Sequence, residues 1–183
     1  MICVSPATLQ TLLPHPMCHV PNTWRVSVSF ERQNGALNIR YVLPASGLRL
    51  PLLPSVRAPA RVDGLWQNTC AELFVATPGT KTYREFNFSA DGDWAAYDLV
   101  DYRMAASVLP KIVAPKIFTA FADDGFCIDI QLEASALPNM NQAQFSATVV
   151  LEAEDGQLSY WSAFHPGTKP DFHHRDGFVL TLA

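Results

Sequence analysis

Strict alternation of apolar and polar residues constrains this chain more than any other feature. Trp24, Val26, Val28 and Phe30 alternate with Arg25, Ser27 and Ser29, and Leu37, Ile39, Tyr41 and Leu43 follow across an Asn34-Gly35 pair. Period two places successive side chains on opposite faces of a strand, and Asn-Gly tolerates the positive φ of a tight hairpin turn. The pattern recurs in Phe126, Ile128, Ile130 and Leu132, and again in Phe145, Ala147, Val149 and Leu151. Further strands are predicted at 70–76, 83–89, 94–99, 158–163 and 177–182, with Asp91-Gly92, Asp124-Gly125 and Asp155-Gly156 as turns. Helical periodicity is nearly absent. Glu133 to Leu137 suits one short turn stopped by Pro138, and the proline-rich stretch 44–62 suits a long loop or an edge strand. About nine short strands with regular turns predict an all-β, antiparallel β-sandwich, and no linker or repeat divides residues 1–183, so a single domain is expected.

Composition bears mainly on what to exclude. The 183 residues carry 13 Lys+Arg and a formal net charge of −4, with no basic stripe, which argues against a nucleic-acid partner. The N-terminal stretch has no Lys or Arg before Arg25 and is broken by Pro6, Pro14 and Pro16. It lacks the basic start and unbroken apolar core of a secretory signal, and no run is long enough to span a membrane as a helix. A cytoplasmic protein is the expectation. Cys3, Cys18, Cys70 and Cys127 show no metal-type spacing. Cys70 and Cys127 read as buried free thiols, although a disulfide between them would also suit a sandwich.

Residues that break the core pattern mark a candidate site. Ala71, Leu73 and Val75 fit the core, so Glu72 and Phe74 point the other way; Phe86 and Phe88 fit the core, so Glu85 and Asn87 share an outer face with Tyr83. If these two runs pair, Glu72, Glu85 and Asn87 lie together, and Asp129 and Gln131 could extend the face. A solvated sheet face explains each of these residues singly. Carboxylates and amides beside exposed aromatics suit a sugar, whose hydroxyls need directional partners and whose apolar face stacks on an indole; Trp66, Trp94 and Trp161 are the indoles within reach, each of which could equally be core.

Four stretches carry a resemblance to a known group: 65–74 (LWQNTCAELF), 83–97 (YREFNFSADGDWAAY), 159–166 (SYWSAFHP) and 169–178 (KPDFHHRDGF). Together they resemble the bacterial DOMON-like domain proteins, and with the strand order the resemblance spans nearly the whole chain. It implies a superfamily of β-sandwiches that includes family 9 carbohydrate-binding modules and haem- or sugar-binding DOMON domains, with the ligand over one sheet. By that resemblance Trp66 would stack on a sugar while Glu72, Glu85, Asn87 and Gln131 bond its hydroxyls. Glu85 departs from the pattern, because the modules usually place a basic residue there. For a second stacking ring, Trp161, Phe164 and Phe172 compete. The stretch holding His165 and His173 would rim the site. The function so implied is non-catalytic recognition of a small molecule, most simply a carbohydrate.

Other chemistries have weaker sequence support. His165, Asp171, His173 and His174, joined by His15 or His19, could hold a transition metal, but their spacing matches no zinc motif. Calcium could use Asp91, Asp93, Asp123 and Asp124, which turn chemistry explains equally. Haem could use Met104 with His165 or His173. No nucleophile elbow, P-loop or dinucleotide fingerprint occurs. Glu72 and Glu85 could act as an acid/base pair, but on a flat sheet face they would lack a water-excluding cleft. A protein-interaction domain, using the 44–62 stretch and an exposed Phe74, completes the alternatives.

Overall fold

The computed structural model describes residues 2–4, 9–51, 58–137 and 143–182. Positions 52–57 of the proline-rich stretch, and Pro138, lie outside the described residues. The strands, in chain order, are β1 (Ile2–Val4), β2 (Gln10–Pro14), β3 (Val26–Gln33), β4 (Ala36–Leu43), β5 (Cys70–Ala76), β6 (Tyr83–Ser89), β7 (Trp94–Asp101), β8 (Met104–Ala105), β9 (Lys116–Ala122), β10 (Gly125–Glu133), β11 (Gln144–Glu152), β12 (Leu158–Ser162) and β13 (Leu180–Leu182). Among the described residues the helical content is three 3-10 turns at Leu65–Gln67, Ala134–Ala136 and Arg175–Gly177. The one at Ala134–Ala136 falls inside the segment that the sequence marks as a short turn.

Two antiparallel layers form. One, here the A layer, runs β8-β7-β6-β5-β11-β12; the other, the B layer, runs β3-β4-β10-β9. Strand β2 belongs to both: Gln10 to Leu12 pair with β3, and Leu13 and Pro14 pair with β12. Short β13 pairs with β11 beside β12, and β1 adds to β13 in parallel. The β3–β4 hairpin turns at Asn34 and Gly35, with φ of 51° and 75°, as the Asn-Gly pair predicts. At Gly125 the backbone permits no side chain, since a Cβ there would run into the Leu43 carbonyl across the β4–β10 ladder.

The core lies between the layers. Val26, Val28, Phe30, Ile39, Tyr41, Ile128 and Ile130 of the B layer meet Ala71, Leu73, Val75, Phe86, Phe88, Val149 and Trp161 of the A layer. These are the alternating positions read from sequence, because only one parity of each strand can face a common interior. Tyr41 reaches across the core and donates its hydroxyl proton to the Glu72 backbone carbonyl at 2.7 Å. That bond anchors β5 at the residue whose side chain faces the other way.

The opposite face of the A layer is not open to solvent. All seven residues of β5 are buried. The chain from 163 to 179 returns over this face and forms a second apolar cluster, in which Phe178 packs with Phe74, Tyr83 and Leu99 beside Tyr97 and Phe172. Phe74, expected to be exposed, is completely buried, with His173 and Phe178 ring centroids at 5.2 and 5.9 Å.

Candidate functional site

Register places the outward residues of β5 and β6 together. Glu72 pairs with Asn87, and Phe74 pairs with Glu85, so Glu72, Glu85, Asn87 and Tyr83 share one face, continued by Thr148 of β11 and Tyr97 of β7. Over this face lies a cavity of about 700 Å³. Its floor carries Glu72, Glu85 and Val150; its walls are Trp66, Tyr97, Tyr160 and Phe172; Arg103, Lys169 and His173 bring basic and imidazole groups to it. The face is therefore a covered pocket, not the flat surface expected from the strand pattern. With that cover in place, flatness does not exclude acid/base chemistry at Glu72 and Glu85.

Trp66 sits on the 3-10 turn before β5 and is 43% exposed. Its indole meets Tyr97 edge-on, with centroids 6.0 Å apart. Tyr97 is itself fixed: its hydroxyl donates to Asp63 at 2.6 Å, and the Arg61 guanidinium lies 5.4 Å from its ring centre. A partly exposed indole braced by a tethered ring is pre-organised for stacking. Across the cavity, Phe172 packs edge-on against Tyr160 at 6.0 Å. Of the three rings that compete in sequence as a second stacking group, Phe172 is the one that lines the cavity.

The two glutamates are nearly inaccessible, Glu72 at 3% and Glu85 at 7% exposure. Burial pushes the Glu72 carboxyl well above the usual range and the nearby Glu85 charge pushes it further, against the pull of Thr148 and Arg103. Burial also raises Glu85, which Asn87 and Arg103 partly offset. The Thr148 hydroxyl favours ionised Glu72, yet its Oγ1 completes no hydrogen bond among the described residues. Asn87 is fully buried and donates from Nδ2 to Glu85 Oε1 at 2.8 Å. It orients Glu85 and does not reach the cavity itself, which corrects the expectation that it bonds a ligand hydroxyl.

His173 closes one side. The Tyr83 hydroxyl accepts the Arg103 amide proton at 3.1 Å and lies 2.8 Å from His173 Nδ1. The His173 Nε2 lies 3.9 Å from Glu85 Oε2, and where Tyr83 donates its proton to Nδ1 it is Nε2–H that faces this carboxyl. Burial, and then the Arg103 charge, bring the His173 pKa down to about 4, with Asp171 opposing. Arg103, at a left-handed φ of 53°, pairs with Asp171 at 2.9 Å and also donates to the Tyr102 hydroxyl. The pair ties the turn after β7 to the returning chain. Nothing in the sequence pattern singles out Arg103.

The remaining candidates lie elsewhere. Gln131 is on β10 of the B layer, bonded to Asn38 and Lys116, so it cannot extend the A-layer face. Trp161 points into the core at 2% exposure and donates its indole N–H to Ser159. Its parity on β12 matches Val149, an interior residue, so it cannot stack on a ligand. His165 turns toward the Leu13 carbonyl and stacks edge-on with His15 at 4.9 Å, outside the cavity lining. The histidine stretch is dispersed: Asp171 serves Arg103, His173 faces Glu85, and His174 caps the last 3-10 turn. Among the described residues, no group of three His, Cys, Asp or Glu side chains is arranged to hold a metal ion. Met104 is largely exposed on β8, and Asp93 accepts the Ala60 amide proton in a turn. Cys70 and Cys127 are free thiols in different layers, not a disulfide.

The titrating groups give opposite pH limbs. Glu72 and Glu85 bind protons more tightly in the folded state than in the unfolded chain, so their contribution is complete below the ordinary carboxylate range and is lost as pH rises through their raised values. His173 is the reverse: its contribution is present above its ordinary 6.5 and is lost as pH falls through about 4. Urea unfolding across pH should show Glu72→Gln flattening the alkaline fall and His173→Asn flattening the acid one. An alkaline fall identical in Glu72→Gln and wild type would mean that Glu72 is ionised throughout.

No protein-family model and no curated protein matches the chain. Solved structures do. A candidate carbohydrate-binding protein from Bacteroides uniformis superposes over 96% of this chain and 86% of its own, with a TM-score of 0.66 at 14% identity. A family 9 carbohydrate-binding module from Caldicellulosiruptor kristjanssonii, solved with glucose, matches 100% of this chain and 95% of its own at a TM-score of 0.63 and 10% identity. A structure of a family 9 module from the same organism with cellotriose matches 99% and 92% at 0.62, again 10% identical. The fold is similar to that of family 9 carbohydrate-binding modules. At these identities the likeness speaks for the β-sandwich fold alone, which the alternating pattern predicts.

Proposed function

We propose that this chain is a non-catalytic carbohydrate-binding domain whose ligand occupies the cavity over the A layer. One observation carries the reading: the partly exposed, braced indole of Trp66 stands over a floor of buried carboxyls. An aromatic wall with a few convergent polar groups is the composition of a small-molecule site, and about 700 Å³ is large enough for a sugar of one or a few residues. In this reading Trp66 stacks on the apolar face of a ring, Phe172 bounds the far side, and Glu72 and Glu85 accept hydroxyl protons. Similarity to modules solved with glucose and cellotriose supports the sugar class, and kinship with DOMON-like proteins is part of the same proposal.

Titration of the protein with glucose and with cellotriose tests it. A ligand of the native state at a hundred times its Kd stabilises by about 2.7 kcal/mol, so the unfolding midpoint should rise dose-dependently by several degrees. No shift with either sugar, or with a wider panel of mono- and oligosaccharides, would remove the sugar reading.

Hydrolysis is a second reading, favoured by one feature: two buried carboxyls inside a cavity, with the Glu85 charge helping to raise Glu72. Release of reducing ends from an oligosaccharide, abolished by Glu72→Gln, would establish turnover.

A further inference from the structure

The cavity floor is short of positive charge. Glu72 and Glu85 present two carboxyls to it. Of the nearby cations, Arg103 is already engaged by Asp171 at 2.9 Å and by the Tyr102 hydroxyl at 3.2 Å, and Lys169 stands exposed at the rim. His173 directs Nε2 toward Glu85 but stops at 3.9 Å, beyond hydrogen-bonding distance. Glu72 is 3% exposed and lines the cavity, and the Thr148 hydroxyl that favours its charge completes no hydrogen bond among the described residues. Glu85, which also lines the cavity, has one oxygen held by Asn87 and the other 3.9 Å from His173 Nε2. A buried carboxyl without donors is costly, and two that repel each other are more so.

A ligand can relieve both penalties at once. A neutral hydroxyl supplies one donor and no charge. An ammonium supplies three donors and a positive charge, satisfying two acceptors while cancelling their repulsion. We propose that the pocket selects a sugar carrying a protonated amine, with the ammonium seated between Glu72 and Glu85 and the ring against Trp66. The inference rests on the carbohydrate reading above and names the class of carbohydrate. The lower effective dielectric inside the cavity strengthens the attraction between these charges relative to the surface.

The test compares D-glucosamine, D-glucose and N-acetyl-D-glucosamine by calorimetric titration at pH 7. Glucosamine is expected to bind at least about tenfold more tightly than glucose, a difference well within reach of one charge-assisted contact. N-acetylglucosamine, whose nitrogen carries no charge, is expected not to share the gain. Glu85→Gln, checked for folding by its thermal unfolding, should bring the glucosamine-to-glucose ratio close to one. A wild-type ratio of one or less overturns the amine inference while leaving the carbohydrate reading in place, and needs no variant to interpret. Binding of none of the three sugars, nor of any oligosaccharide, overturns both.

Discussion

Trp161→Ala is expected to destabilise the fold by about 3–5 kcal/mol, the usual cost of emptying a fully packed aromatic site. The indole is 2% exposed, sits among the interior residues of both layers, and occupies the point where β12 meets both β11 and the crossing strand β2. Its N–H is satisfied by Ser159 at 3.0 Å, so truncation also strands that hydroxyl. Urea unfolding should show a lower midpoint with an unchanged slope, the signature of lost stability without a change in compactness. The protein that remains folded should bind its ligand as before, because Trp161 faces away from the cavity. A loss below about 1 kcal/mol would contradict the interior placement.

Trp66→Ala should do the opposite. The indole is 43% exposed and touches the fold chiefly through the edge of Tyr97, so the unfolding midpoint should hardly move. Ligand affinity should fall by roughly thirtyfold, about 2 kcal/mol, since removing a stacking face forfeits both apolar burial and aromatic contact. Titration of the sugar found to bind wild type reads the effect directly. Unchanged affinity would place the ligand outside this cavity. The two tryptophans thus separate folding from binding, with each variant a control for the other.

Much of this was legible in the chain itself. The hairpin at Asn34-Gly35 and the interior parity of β3 to β6 and β10 to β11 follow from period two and turn chemistry, and the shared face of Glu72 and Asn87 follows once β5 and β6 are known to pair. Strands β1, β2, β8 and β9 lie outside the runs that the alternating pattern marks. β2 is short and divides its pairing between two layers, and β9 is an edge strand with Phe118 and Phe121 exposed, so neither buries one clean face. Parity places Gln131 outside the core but does not say in which layer, and it leaves the side of Trp161 open, because it says which residues share a side and not which side carries a ligand. The site's other members had one overlooked signal. Phe74, Tyr83, Leu99 and Val150 are large or apolar residues at outward positions, a pattern that calls for a cover over that face.

The strand pattern, the turns and the in-or-out parity of each side chain were determined by local sequence, because the two-residue repeat of an extended backbone leaves each side chain only two directions. The cavity was decided by tertiary structure alone. It exists because residues 163–179 fold back across the A layer, because Arg103 meets Asp171 from a distant part of the chain, and because that cover buries two carboxyls that the strands by themselves would leave in water. Those are contacts between segments far apart in sequence, and no local periodicity encodes where a returning loop will land.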